Sequence, residues 1–600
     1  MKFSRLMKKG TRKVASVFAG ILYFSTLVFS QDISSVKWYD PATSLFPVID
    51  GRGWQTSLAN SYDRLPGKAE KEVRPSVWSL SKNSAGEYIN FRTSAKNILV
   101  RYAVTGNLSM MHMPATGVSG VDLYARDVNG DWKWAGGKFS FKDTIEYRYT
   151  NLSLSAGEEE FRLYLPLYNS VKWLKIGVDE NERFEFQKIS KERSVVVYGT
   201  SIAQGGCASR PGLAWTNILG RKLDRTVINL GFSGNGQLEK PLISLLNETD
   251  ACIFVLDCMP NLIYDVRFSK EEIQERILYS VRELQANNSE IPILLVEHSG
   301  GLSSANMDGK VVKDFMATSG ILNETFARMK KDGLKNIYLL TDSLIGLDQE
   351  STVDGTHPND IGMLKHAEAY EKIIRQILGE EKGDLRTTVP VRQRRDHATY
   401  DFTERHEAVL ETVREKLPSV VLIGNSITHF WGGPPDGAHK TGSESWKKYF
   451  DPLNTVNLGF GWDRIENVLW RVHHGELDGY LAEMIVINIG TNNLSIGDTD
   501  DEILRGLKNL TGAVRQHQAY SRIFLSGIYP RRDFEQRIEV LNSKIGLLAK
   551  QINVDYMNPG IVLLAKDKTI DETLFTDGLH PNKEGYEKLG AEIVRFLNSK

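Results

Sequence analysis

One passage of this chain is written twice. Ser194-Val-Val-Val-Tyr-Gly-Thr-Ser201-Ile returns as Ser419-Val-Val-Leu-Ile-Gly-Asn-Ser426-Ile, and Val227-Ile-Asn-Leu-Gly-Phe232 returns as Val456-Asn-Leu-Gly-Phe460. The Asp-Gly-x-His-Pro-Asn of residues 354–359 recurs at 577–582. Serine and histidine lie 156 residues apart in one copy and 154 in the other. A repeat of that length is a duplicated domain, so both copies must share a fold. Each supplies five short apolar runs: near 195–198, 227–230, 252–257, 291–296 and 337–341, then near 420–423, 455–458, 484–489, 522–526 and 553–557. Stretches of helical periodicity lie between them, such as Trp215–Leu223. Apolar runs joined by helical crossovers predict an α/β domain whose parallel sheet is covered on both faces.

Six hundred residues exceed what two such domains need. From Val36 to Phe186 the texture is different. Short alternating segments such as Tyr88–Phe91, Ile98–Tyr102, Val121–Tyr124 and Phe161–Leu165 are separated by turns such as Asn129-Gly130-Asp131, which predicts an all-β sandwich. The first thirty residues place Lys2, Arg5, Lys8, Lys9, Arg12 and Lys13 ahead of an uncharged apolar run, Val14–Phe29. That is a signal-peptide pattern with cleavage expected after Ser30, the alternative being an uncleaved membrane anchor. The expected organisation is a signal peptide at 1–30, a β-sandwich module at 31–190, a first α/β domain at 191–380, a polar linker at 381–395 and a second α/β domain at 396–600. The linker's Arg392-Gln-Arg-Arg395 reads as a solvated connector. A secreted or periplasmic protein follows, with no stable membrane insertion after processing. With 74 Lys+Arg against 75 Asp+Glu, no general attraction to nucleic acid is expected. Three cysteines are too few for a disulfide framework, and Cys252 and Cys258 lie too far apart along one strand to bridge.

In an open parallel sheet, ligands bind where strand C-termini meet helix N-termini. Ser201 and Ser426 stand there, each behind a glycine that permits a sharp turn. A serine hydroxyl needs a neighbouring base to become a nucleophile. In Asp354-Gly-Thr-His357 and Asp577-Gly-Leu-His580 the imidazole can take the serine proton while the aspartate orients its other nitrogen. A similar string, Asp436-Gly-Ala-His439, follows closely behind Ser426, lacks the Pro-Asn continuation and has no counterpart in the first copy; it reads as loop. Acyl transfer also needs donors for the developing oxyanion. The candidates are the Gly234 backbone and the Asn261 amide in the first copy, and the Trp462 backbone and Asn492 amide in the second. This chemistry requires no cofactor and no metal.

Together these blocks resemble the SGNH (GDSL) hydrolase superfamily over both repeats. The first repeat with its β module, including Gly117-Val-Ser-Gly-Val-Asp-Leu-Tyr124, resembles two-domain bacterial carbohydrate esterases. The second, with Gly424-Asn-Ser-Ile427 and Val468-Leu-Trp-Arg-Val472, is similar to platelet-activating factor acetylhydrolase catalytic subunits. The resemblance implies a flavodoxin-like three-layer fold, no metal, and hydrolysis through an acyl-serine intermediate. The family's Gly-Asp-Ser is Gly-Thr-Ser201 in one copy and Gly-Asn-Ser426 in the other. Trp462 replaces a glycine, and Asp257-Cys-Met-Pro-Asn261 departs from the usual third block.

The expected substrate is an acylated carbohydrate, with O-acetyl as the expected acyl group. Sialate O-acetyl esters and lipid acyl esters are alternatives, as is a repeat that only binds glycan. Cys207 and Gly234 are expected beside the first cleft, and His429, Trp431 and Trp462 beside the second. His473-His474 reads as a solvated helix face rather than a metal pair. The module's Trp54, Trp78, Trp132, Trp134 and Trp173 read as core packing rather than a sugar platform.

Overall fold

A computed structural model describes residues 35–127, 130–153, 159–298, 309–393 and 400–599. The signal-like run at 1–30 and the linker residues Arg394 and Arg395 lie outside them. No helix among the described residues is long and apolar enough to cross a membrane.

The alternating segments of the module form two antiparallel sheets. One runs in the order Val36–Tyr39, Val171–Asp179, Ile98–Val104, Ile145–Tyr149 and Lys138–Ser140. The other runs Phe184–Phe186, Tyr88–Thr93, Glu159–Tyr164, Asp122–Arg126 and Trp132–Ala135, with Ile49–Asp50 beside Tyr88–Thr93. Ile98, Val100 and Tyr102 of the first sheet meet Ile89, Phe91, Phe161 and Leu163 of the second, so period-two alternation fills one sandwich core. The tryptophans do not all join it. Trp78 packs against the first α/β core, and Trp54 donates from Nε1 to Glu248 at 3.1 Å. Trp132 lies under the guanidinium groups of Arg126 and Arg162. Trp134 and Trp173 are exposed, contrary to the core-packing reading, because they leave the strands on their outer faces.

Each repeat folds into a five-stranded parallel sheet. The first has the order Val227–Gly231, Ser194–Gly199, Ala251–Asp257, Ile293–Val296, Ile337–Leu340. The second follows it as Thr455–Gly459, Val420–Gly424, Met484–Asn488, Arg522–Ser526, Asp555–Met557. This is the doubly wound order with the first strand inside the second. The central positions of the strands are mostly apolar on both sides because both faces of each sheet are covered. Val196 and Tyr198 enter one core while Val195 and Val197 enter another. In the second repeat Val421 and Ile423 part from Val420 and Leu422 in the same way. All three cysteines are free.

The three units are fused around Asp224. Its carboxylate pairs with Arg126 of the module and accepts from Nε1 of Trp470 of the second repeat at 3.0 Å. Burial opposes that charge, but Arg126 outweighs it and holds the carboxyl far below the usual range. His473 and His474 are buried at this junction, not solvated. The His474 ring stacks on Trp470 at 3.8 Å, and the His473 carbonyl accepts from Arg225 at 2.5 Å. Adjacent helix residues point apart, which disfavours a metal pair, but the reading as a solvated face fails because the unit that covers them is distant in sequence. The linker is not a free connector either: Thr387 and Gln393 are buried, and Gln393 donates to the carbonyl of Gly461 at 2.6 Å.

His406 ties the second repeat to Glu192, with its Nδ1–H on Glu476 at 2.7 Å and Nε2 at 3.7 Å from Glu192. Burial disfavours the imidazolium, yet the two carboxylates prevail and raise its pKa to about 9. A group raised above its unfolded value of about 6.5 stabilises fully below that pH, and its contribution is lost as pH rises through about 9. The melting temperature should therefore fall between pH 6.5 and 9.5 more steeply in the native chain than in His406→Asn. Equal slopes by calorimetry would show that His406 carries no charge in the folded state.

Candidate active site

Both serines begin a short helix directly after a strand: Ser201–Gln204 after Ser194–Gly199, and Ser426–His429 after Val420–Gly424. The residue before each serine is the helix cap. Thr200 Oγ1 accepts from Ile202 N–H at 3.3 Å, and Asn425 Oδ1 accepts from Ile427 N–H at 2.9 Å. Thr and Asn are both competent N-caps, which accounts for the missing aspartate of Gly-Asp-Ser. The helix then lies against the neighbouring strand with almost no gap. A Cβ on Gly231 would collide with the backbone N of Gln204, and one on Gly459 with the backbone N of His429.

The Asp-Gly-x-His loops come from the far end of each repeat. Gly355 and Gly578 adopt left-handed φ values of 87° and 81°, which let the loop curl back on itself. With imidazole Nδ1 protonated, Ser201 Oγ–H donates to His357 Nε2 at 2.8 Å and His357 Nδ1–H donates to Asp354 Oδ2 at 2.7 Å. The second copy repeats these distances: Ser426 to His580 is 2.8 Å and His580 to Asp577 is 2.7 Å. Each aspartate also accepts from its histidine's backbone N–H, at 2.8 and 2.7 Å. Partial burial works against these carboxylates, but those hydrogen bonds prevail and hold both below the usual range.

Gly234 and Trp462 hold equivalent positions, five residues after the paired asparagines Asn229 and Asn457, with φ of 70° and 67°. A tryptophan thus adopts the left-handed turn that glycine makes in the other copy. Trp462 is half exposed at a cleft of about 470 Å³ that also contains Ser426, Phe430, Asn492 and His580. Asn261 and Asn492 match as well, each four residues beyond the strand position paired with the nucleophile-strand glycine. Asn261 Oδ1 accepts from Gly236 N–H at 3.0 Å, and Asn492 Nδ2 donates to Asp463 O at 2.8 Å. Each therefore tethers the third block to the loop of the second. Among the described residues no cluster of three His, Cys, Asp or Glu side chains is arranged to hold a metal ion.

Trp431, expected beside the second cleft, is a core residue that donates from Nε1 to Ser445. His439 is on a loop, yet it lines the cleft, its ring 4.7 Å from Phe430, which lies 5.1 Å from His580. The module also reaches the first site. Its Tyr168 OH donates to Ser201 O at 3.1 Å, and the exposed His112 ring lies 6.0 Å from that of His357. Neither was legible in the sequence, since both precede the repeat and neither has a counterpart in the other copy.

A serine, imidazole and carboxylate hydrogen-bonded in line at a strand end are the groups that acyl transfer through a serine needs. Residues 192–375 match the GDSL-like lipase/acylhydrolase family, and residues 422–588 match the same description a second time. Residues 36–184 match the family described as the N-terminus of SGNH-hydro-type esterases. A GDSL-like lipase from Bacteroides ovatus, of known structure, is 31% identical, spanning 57% of this chain and 98% of its own with a TM-score of 0.52. Platelet-activating factor acetylhydrolase IB subunit alpha1 of Bos taurus is 28% identical over 201 residues, 32% of this chain and 79% of that protein. Subunit alpha2 of Gallus gallus is 26% identical over 193 residues, 31% and 80% of the two. The chain belongs to the GDSL/SGNH hydrolase family and carries two such domains in tandem.

Gly459→Ala should lower the melting temperature by a few degrees, the cost of overpacking by roughly 1–3 kcal/mol. It should also reduce ester hydrolysis at Ser426 at least about tenfold, because displacing a reacting group by about 1 Å costs up to 10²-fold. Kinetics in a Ser201→Ala chain measure this, and an unchanged rate would show that the helix needs no such close contact.

Proposed function

We propose that this chain is an exported esterase with two separate Ser-His-Asp sites that remove O-acetyl groups from carbohydrates. The observation that carries this reading is the duplicated relay, with matching hydrogen bonds from serine to histidine to aspartate. His357 or His580 would take the serine proton as Oγ attacks the ester carbonyl. The Asp354 or Asp577 carboxylate would stabilise the imidazolium, and the loop donors would hold the oxyanion. The leaving alcohol takes the proton from the imidazolium, and water then cleaves the acyl-serine by the same path reversed.

Acetyl as the acyl group is supported by the acetylhydrolases among the relatives. A carbohydrate as the alcohol is supported by the half-exposed Trp462 and by Phe430 at the second cleft, flat surfaces on which a sugar face can lie. Export is supported by the charged and apolar pattern of residues 1–30. A lipid ester is the second reading, favoured by the apolar lining that Phe430, Leu579, Pro581 and Tyr586 give the same cleft.

Hydrolysis of an aryl acetate should survive chelator and fall by at least about 10³-fold in the Ser201→Ala, Ser426→Ala double variant. Activity retained by the double variant would exclude both serines. Across acetyl, butyryl and octanoyl esters, kcat/KM should be highest for acetyl; an octanoyl optimum would favour the lipid reading.

Each single serine variant should keep part of the activity, with different profiles on a panel of acetylated sugars, because a relay acts only within hydrogen-bond reach. Trp462→Gly should broaden the profile of the Ser201→Ala chain. Matching profiles of the two single variants would contradict divergence of the sites.

A further inference from the structure

In each repeat one buried arginine binds the same two carbonyls. Arg64, from the β module, donates from Nη1 to Asn229 O at 3.0 Å and Gly231 O at 2.8 Å. Arg405, from helix Phe402–Lys416 of the second repeat, donates from Nη2 to Asn457 O at 3.2 Å and from Nε to Gly459 O at 2.8 Å. Sheet register makes these carbonyls equivalent: Val197 and Gly199 lie beside Asn229 and Gly231, as Leu422 and Gly424 lie beside Asn457 and Gly459. Each guanidinium also lies over the phenylalanine that follows, 4.9 Å from Phe232 and 5.1 Å from Phe460.

The arrangement is costly. Both arginines are buried, and among the described residues no carboxylate pairs with either; their other donors go to the carbonyls of Asn83, Leu80 and Pro435. Burying a cation with no carboxylate in direct contact is unfavourable, and burial lowers both guanidinium pKa values to about 10 against the more distant attraction of Glu87 on Arg64 and of Glu476 and Asp463 on Arg405. Duplication cannot explain the match, because Arg64 lies outside the repeated sequence.

A second contact acts on the same loop. Three residues after each serine, Gln204 Oε1 accepts from Ser233 N–H at 3.0 Å and His429 Nδ1 accepts from Gly461 N–H at 3.2 Å. Ser233 and Gly461 directly precede Gly234 and Trp462. The histidine must be neutral to accept at Nδ1, and burial followed by the charge of Arg405 keeps it so, lowering its pKa to about 2.

We infer that Arg64 and Arg405 are positioning residues that, with Gln204 and His429, clamp the loops presenting the backbone N–H groups of Gly234 and Trp462 to the oxyanion. This rests on the serine-esterase reading of both sites. It makes the β module an integral part of the first site, whereas the second repeat supplies its own clamp. Oxyanion donors are effective because they are held in place before the charge develops, so a loosened loop loses rate rather than substrate affinity.

The test uses the full chain with one site silenced. Arg64→Met and Arg64→Lys are placed in the Ser426→Ala chain, and Arg405→Met and Arg405→Lys in the Ser201→Ala chain. Active sites are counted by burst titration with an aryl phosphonate. Per titrated site, kcat on an aryl acetate should fall on the order of 10²-fold in the Met variants, with KM changed by less than about threefold. The Lys variants should recover at least part of the loss. Inhibition by a boronic acid, which mimics the tetrahedral intermediate, should weaken in parallel. Unchanged kcat per site, or a loss confined to KM, would overturn the clamp. If the Met variants do not fold, Gln204→Met in the Ser426→Ala chain carries the same comparison, and full kcat per titrated site there would overturn the clamp. An inactive Ser426→Ala or Ser201→Ala parent would instead refute the reading of two working sites.

Discussion

The placement of each serine depends on one backbone contact, where the helix that begins with the serine rests on the neighbouring strand at a glycine. Gly231 and Gly459 leave no room for a Cβ, and the same strands carry the asparagines that lock the turn. Asn229 Nδ2 donates to Ala203 O at 2.7 Å and Asn457 Nδ2 to Thr428 O at 2.7 Å, while both Oδ1 atoms accept from the glycine N–H two residues on. The serine's helix and the loop that follows the neighbouring strand are therefore tied to the same strand. Only the Asp-Gly-x-His loop arrives independently, and the glycine at its bend allows it to close on the serine.

Around this shared frame the two copies keep one sheet order and differ in the side chains at matching positions. The capping residue is Thr200 in one and Asn425 in the other, and the left-handed turn is Gly234 in one and Trp462 in the other. An L-residue in the left-handed region costs roughly 1–2 kcal/mol, so the loop must be held firmly enough to keep Trp462 there. The hydrogen bonds to Gly461 from both Gln393 and Tyr400, beside that from its own N–H to His429, are such restraints.

The β module and the second repeat both behave as structural parts of the first repeat. Arg126, Asp224 and Trp470 join all three units through one carboxylate. Arg64 and Tyr168 of the module bind backbone carbonyls of the catalytic strands and helix. A charge or carbonyl buried at such a junction must find its partner there, because water is excluded. The linker's Gln393 meets this requirement at Gly461 O, and the His474 ring meets it at Asp224 O.

The amino-acid sequence by itself determined the duplication, the sandwich and parallel-sheet periodicities, and the identity of the serine, histidine and aspartate positions that meet. All of these are local patterns, or patterns that occur twice. It could not tell which polar residues are buried where units meet, because periodicity describes one element and not what covers it. His473 and His474 were misread for that reason, while Trp134 and Trp173 proved exposed and Trp431 proved part of the second repeat's own core. Arg64 and Arg405 were invisible as a pair, since they share no motif and lie in unrelated parts of the chain. Only the tertiary structure brings each to the same two carbonyls, because that role is defined by the backbone it binds and not by the sequence around it.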